Sequence, residues 1–424
     1  MNFLCYVGLY TIMNKKLAYL LVFLMLLGSA LNAKAADTEN TRYIVKSNSA
    51  FWKKSFGVRH NFEDGFTTDA TAWQLRVAKL FGVEVEEVKK LYVLPATVSE
   101  DDALKAGKDE VQETKSDTLR RTTPTPSVLA RPKPSDQTPW GIETIYNNPS
   151  LSKTSGGAGV NVAILDTGIY RSHPDLKNRV KDCKDFTGIK PITDGKCDDK
   201  NGHGTHVAGI ISADGGSDGL GIYGVAPEAN LWAYKVCSNN GSCWSDDIAV
   251  AIRTAADNGA NVINMSLGSD SESSLIKNAI TYAVNKKVLV VAAAGNDGPY
   301  DGSIDYPAAN VDVVGTGALD VNLVVTGWSS RGLNFQSQPY VKENKDIEFA
   351  APGANIESTW KDGGYVILSG TSMASPHVAG LAAKLWQKNA DNPALETRNL
   401  LRQFSRDLLP VGDDNASGWG LPTL

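Results

Sequence analysis

Four residue types in this chain suit acyl-transfer chemistry. Ser372 lies in Gly370-Thr371-Ser372-Met373-Ala374-Ser375-Pro376-His377, just ahead of Val378, Leu381, Ala382 and Leu385, which share one helical face. A hydroxyl there can cap the helix or act as a nucleophile. Serine is a weak nucleophile at neutral pH, so it needs a base to take its proton and an anion to orient that base. Both stand upstream, as His203 in Asn201-Gly202-His203-Gly204-Thr205-His206 and Asp166 in Leu165-Asp166-Thr167-Gly168. Asn296, in Ala293-Ala294-Gly295-Asn296, carries an amide able to donate to a developing oxyanion.

The surrounding patterns indicate how such residues are held. Val162 to Leu165 is a short apolar run ending at Asp166, which reads as a buried strand with its carboxylate at the C-terminal tip, where open α/β sheets place their sites. Val288 to Ala294 reads as a second buried strand, ended by Gly295-Asn296. His203 sits between glycines at the mouth of a helix of small residues, where backbone and substrate can approach closely. A His203–His206 metal pair lacks the Glu of a His-Glu-x-x-His motif, so His206 reads as structural. Asp198-Asp199-Lys200-Asn201 reads as a solvated turn.

Taken together, these motifs resemble the subtilisin-like serine proteases, the subtilases. Tyr223-Gly224-Val225-Ala226-Pro227 and Asn264-Met265-Ser266-Leu267-Gly268 match as well, and the resemblance runs from about Pro139 to Leu424. It implies a three-layer α/β/α domain with a mainly parallel central sheet, preceded by a small α+β propeptide domain. It also implies a catalytic triad of Asp166, His203 and Ser372, with Asn296 in the oxyanion hole, and no cofactor for catalysis. Ser266, Leu267 and Gly268, opposed by Gly241, would hold an extended peptide as an added strand. Cys243 replaces a glycine common at that rim. Asp297 and Asp305 fall where the family builds the pocket for the residue preceding the scissile bond, so an acidic floor there would favour Arg or Lys. Asp175, in His173-Pro174-Asp175-Leu176, matches a structural calcium ligand, although the partner loop Asp214-Gly215-Gly216-Ser217-Asp218-Gly219 departs from the family pattern.

The rest of the chain agrees with an exported zymogen. Lys15-Lys16, the apolar stretch Leu17 to Leu31 and Ala33-Lys34-Ala35 make residues 1–35 a signal peptide, with Met13 an alternative start. The product is expected outside the cell or in the periplasm, as a monomer with no membrane anchor. The 424 residues are 42% hydrophobic and 21% charged with a net charge of −5, and no basic run points to nucleic acid as a partner. Without Cys5 an even set remains, and proximity favours Cys183 with Cys197 and Cys237 with Cys243. Thr41–Ser47 and Lys90–Val98 read as strands, Ala70–Phe81 and Glu100–Asp109 as helices, ahead of a Pro-rich linker holding Arg131-Pro132-Lys133-Pro134. The resemblance implies that residues 36–131 are a propeptide and linker that inhibits the enzyme from within, a separate binding domain being the alternative, and that residues 132–424 are the peptidase acting on polypeptides. Two other classes stay open, a silent peptide-binding scaffold and a maturation protease of narrow specificity.

Overall fold

Ile44, Val45 and Phe66 are β-formers flanked by turn residues, and they seed an antiparallel sheet at the N-terminal end. The computed structural model describes residues 41–94, 97–98, 130–188, 190–334, 342–408 and 410–424. It divides into two compact units at Val88. In the first, β1 (Tyr43–Val45), β2 (Asn61–Phe62), β3 (Gly65–Thr68) and β4 (Val85–Glu87) lie in the order β2-β3-β1-β4. Helices α1 (Ala50–Phe56) and α2 (Ala72–Leu80) accompany them. The Thr71 hydroxyl accepts the Gln74 N–H while Gln74 reaches back to the Thr71 N–H, a reciprocal cap that fixes where α2 starts. Val45, Trp52, Phe56, Phe66, Val77 and Ala78 form the core of this unit. The expected signal peptide and the helix at Glu100–Asp109 lie outside the described residues.

The second unit starts with β5 (Lys90–Val93) and β6 (Thr97–Val98). The single strand expected over Lys90–Val98 is thus two, and they join different sheets, because each side of the gap finds its own partner edge. After α3 (Trp140–Ile145) come β7 (Asn161–Asp166), β8 (Val180–Asp185), β9 (Thr193–Asp194), α4 (His203–Ser212), β10 (Asn230–Lys235), β11 (Ser242–Trp244) and α5 (Ser245–Asp257). The chain continues through β12 (Val262–Met265), β13 (Leu267–Gly268), α6 (Ser274–Asn285), β14 (Leu289–Ala293) and β15 (Val313–Leu319). It then forms β16 (Phe349–Pro352), β17 (Ile356–Thr359), β18 (Tyr365–Ser369), α7 (Thr371–Lys384) and α8 (Pro393–Gln403).

The central sheet has eight strands in the order β16-β15-β14-β12-β7-β10-β8-β9, parallel except for the β8–β9 pair. Val162, Ala163, Ile164 and Leu165 are buried because both faces of β7 are covered, as a parallel sheet requires. The Val162, Ile164 and Leu165 side chains each contribute about 1.5–3 kcal/mol by leaving water. Strand order reverses around β7, between β12 and β10, so the loops at its C-terminal end open into a crevice. Helix α7 packs on β12, β14, β15 and β16, and α4 packs on α7. Disulfides join Cys183 to Cys197 and Cys237 to Cys243. Among the described residues, no helix is long and apolar enough to cross a membrane.

Candidate active site

Asp166 ends β7 at the crevice, fully buried, and its Oδ1 accepts the Thr167 N–H at 2.7 Å. His203 opens α4, and its Nδ1 lies 2.9 and 3.0 Å from the two Asp166 carboxylate oxygens. That pairing fixes Nδ1 as the protonated nitrogen and leaves Nε2 to act as the base. Burial opposes charging the ring, but the charge and hydrogen bond of Asp166, with a further contribution from Asp199, outweigh it and hold the His203 pKa above its ordinary value. Gly202, just before the helix, has φ 112°, and a Cβ there would stand 2.5 Å from the Trp360 ring, so only glycine lets the chain enter α4 this way.

The sequence reading placed Asp199 in a solvated turn, but the structure places it next to the entry of α4. It is buried, with Oδ1 accepting from Thr167 Oγ1 and from the N–H groups of Asn201 and Gly202. Its Oδ2 accepts from the N–H and hydroxyl of Thr205. A carboxylate at a helix N-terminus is favoured by the orphan N–H groups and the helix dipole, so Asp199 locks the start of α4 to the segment after Asp166. The signal in the sequence was its place four residues before His203. Lys235 is likewise buried, donating to the carbonyls of Thr167 and Cys237 at 2.6 and 2.9 Å, and burial lowers its pKa. His206 donates through Nε2 toward the carbonyls of Ile356 and Val366, and burial, reinforced by nearby His203, lowers its pKa to about 3. It is a neutral strut.

Ser372 lies inside α7, one residue past its start at Thr371, whereas the periodicity put it ahead of the helix. It is fully buried, and its Oγ donates to the Ser266 carbonyl at 3.2 Å. Among the described residues, His203 Nε2 has no hydrogen-bond partner. The Asp166–His203 pair is therefore closed, while the Ser372 hydroxyl points to the groove wall. Asn296 follows β14, and its Oδ1 accepts the Thr371 N–H and hydroxyl, both at 3.0 Å. With the amide oxygen so engaged, the Nδ2 donor faces away from Thr371. Thr371 Oγ1 also accepts the Gly295 N–H at 3.1 Å, tying the end of β14 to the start of α7.

The groove is lined by two short edges. β5 runs antiparallel between them, pairing Leu91 with Cys243 and Tyr92 with Ser242 on one side, and Tyr92 with Gly268 and Val93 with Leu267 on the other. Val93 donates its N–H to the Gly241 carbonyl at 2.9 Å. Leu91 is buried and lines a pocket together with Ser273, Ile276, Ile280, Tyr306 and Pro307, and Leu94 is also buried. Extending the ladder by one residue sets Leu94 opposite Ser266, whose carbonyl takes the Ser372 hydroxyl. On the far side of the gap, β6 pairs Thr97 with Ser369 and Val98 with Leu368, next to the start of α7.

Asp305 is fully buried behind the groove, where a Cβ on Gly268 or Gly295 would meet it at 2.8 or 2.9 Å. Its carboxylate lies within 4.8 Å of those of Asp270 and Asp297. Asp175 is buried elsewhere, its Oδ2 accepting from the Tyr365 hydroxyl at 2.8 Å and the Ile222 N–H at 2.9 Å. The Asp175 Oδ1 faces the glycine loop, 3.0 Å from where a Gly216 Cβ would stand. Gln137 Nε2 donates to the carbonyls of Gly219 and Gly221 in that loop. Arg131, read as part of an extended linker, pairs with Tyr365 through backbone bonds and with Glu357 through its guanidinium.

Residues 157–420 match the model of the subtilase family. The chain is 46% identical over 418 residues to a subtilisin of Bacillus sp. (strain TA39), covering 93% of each. It is 40% identical over 283 residues to subtilisin Savinase of Lederbergia lenta, covering 67% of this chain and 96% of that one. Among solved structures it is similar to sphericase, with a TM-score of 0.66 and 50% identity over 68% of this chain and 99% of that one. Buried aspartate, imidazole and serine at the crevice, together with these matches, establish that the chain belongs to the subtilase family and is a serine protease.

Proposed function

We propose that the enzyme cuts extended polypeptides outside the producing cell, and that it is made as a zymogen which processes itself. Peptide hydrolysis follows from the family; the residue roles are as follows. A substrate strand lies between Gly241 and Ser266-Leu267-Gly268, as β5 does, with its scissile carbonyl over Ser372. Rotation of the Ser372 side chain from the Ser266 carbonyl toward His203 Nε2 lets the imidazole take the proton as Oγ attacks. Asp166 stabilises the imidazolium, and the Asn296 amide with the Ser372 N–H stabilises the oxyanion. His203 then protonates the leaving amine, and water repeats the sequence on the acyl-enzyme.

The observation that carries this reading is the Asp166–His203 pair, both buried and joined at 2.9 Å, beside a groove that already holds an antiparallel strand. Residues 36–131 serve as propeptide and linker, and residues 132–424 as the peptidase. The carboxylates of Asp270, Asp297 and Asp305 support a preference for Arg or Lys before the scissile bond. Asp175 and the carbonyls of its glycine loop are hard oxygen donors, which suits a structural calcium ion with no part in the chemistry. The test is to express the zymogen and its Ser372→Ala form and to follow casein hydrolysis and intact mass. Only the former should digest casein and shed its N-terminal segment. A Ser372→Ala form that digests casein overturns the assignment, and a peptide library cut after large apolar residues overturns the basic preference.

A further inference from the structure

Pro376 stands inside α7, although proline has no N–H to give the carbonyl four residues earlier. That carbonyl belongs to Ser372. The Ser266 hydroxyl replaces the missing donor, reaching the Ser372 carbonyl at 2.9 Å. Asn264 Nδ2 donates to Ser266 Oγ at 3.1 Å, and Ser375 Oγ donates to Asn264 Oδ1 at 2.6 Å. All four side chains are fully buried. The donors point one way along this chain, from Ser375 through Asn264 and Ser266 to the nucleophile, so each bond polarises the next. We propose that Asn264 and Ser375 are positioning residues, acting through Ser266 to fix the backbone of Ser372 where proline has released it. The nucleophile gains a rigid seat without a helical bond of its own. Asn264→Ala and Ser375→Ala should each lower kcat about tenfold to a hundredfold, with KM within about threefold, because a small misplacement of the reacting group is enough. The double variant should be little worse than either single one, since both cut the same chain. Rates are taken per active site titrated, so poorly folded protein does not count. Asn264→Asp keeps the shape but loses the N–H donor, and it should fall with Asn264→Ala. Unchanged kcat in these variants, or losses that simply multiply in the double one, overturn the proposal.

Discussion

At His203 two effects of burial and charge compete, and the outcome sets the pH dependence of the enzyme. Because Asp166 and Asp199 raise its pKa above 6.5, the ring stays protonated, and useless as a base, to a higher pH than an isolated histidine. Activity should therefore rise with pH through that raised pKa. Asp199→Asn removes one of the charges, so the acid limb of kcat/KM against pH should move to lower pH; a limb that stays in place or moves up contradicts the stated cause. At Asn296 the amide oxygen accepts the N–H and hydroxyl of Thr371, which fixes the side chain beside the start of α7. Asn296→Ala should lower kcat by about a hundred- to a thousandfold, the size known for the matching amide of subtilisin, with KM little changed in steady-state kinetics. The Asp166–His203 pair was legible in the sequence because each residue sits in a short motif with its own glycines. Asp199 was not, since in Asp198-Asp199-Lys200-Asn201 nothing local distinguishes a solvated turn from a buried helix cap.

Among the elements, strands such as β7 and β14 could be read directly, because a parallel strand buried on both faces must be an unbroken apolar run. The start of α7 could not, because apolar spacing begins at Val378, while the helix itself begins at Thr371 and tolerates Pro376 through a donor from β12's end. Helix α4 depends on Gly202, whose positive φ and contact with Trp360 leave no space for a side chain. Gly202→Ala should cost about 1–3 kcal/mol from backbone strain alone, and more from the clash. Denaturant unfolding of the Ser372→Ala form, which avoids self-digestion, would measure it. His206 in the same helix and His377 in α7 stay neutral, with pKa values lowered to about 3 and about 4 by burial. Below pH 6.5 the unfolded chain binds protons that these rings refuse, so stability should fall progressively from about pH 6.5 toward pH 4. Thermal melting at pH 7.5 and pH 5 checks the sign, and a higher Tm at pH 5 would contradict it.

For the molecule as a whole, the eight-stranded sheet and the helices packed on it carry residues 166, 203 and 372, the first and last of which lie just over two hundred positions apart. The chain reads as a large α/β domain from sequence, but the separate partners of β5 and β6 do not, since the pattern from Lys90 to Val98 does not reveal which edges will receive it. The two disulfides each close a short loop. Removing the Cys183–Cys197 pair should cost about 3 kcal/mol, slightly more than the Cys237–Cys243 pair, whose smaller ring constrains the unfolded chain less. If Asp175 holds calcium, a chelator should lower the Tm of the Ser372→Ala form, and an added Asp175→Asn substitution should abolish that difference. The most direct test of the convergent triad is covalent labelling. A fluorophosphonate should modify Ser372 alone, as located by peptide mass spectrometry, and His203→Ala should abolish the reaction. Labelling at another serine, or undiminished labelling of Ser372 in His203→Ala, would contradict the account.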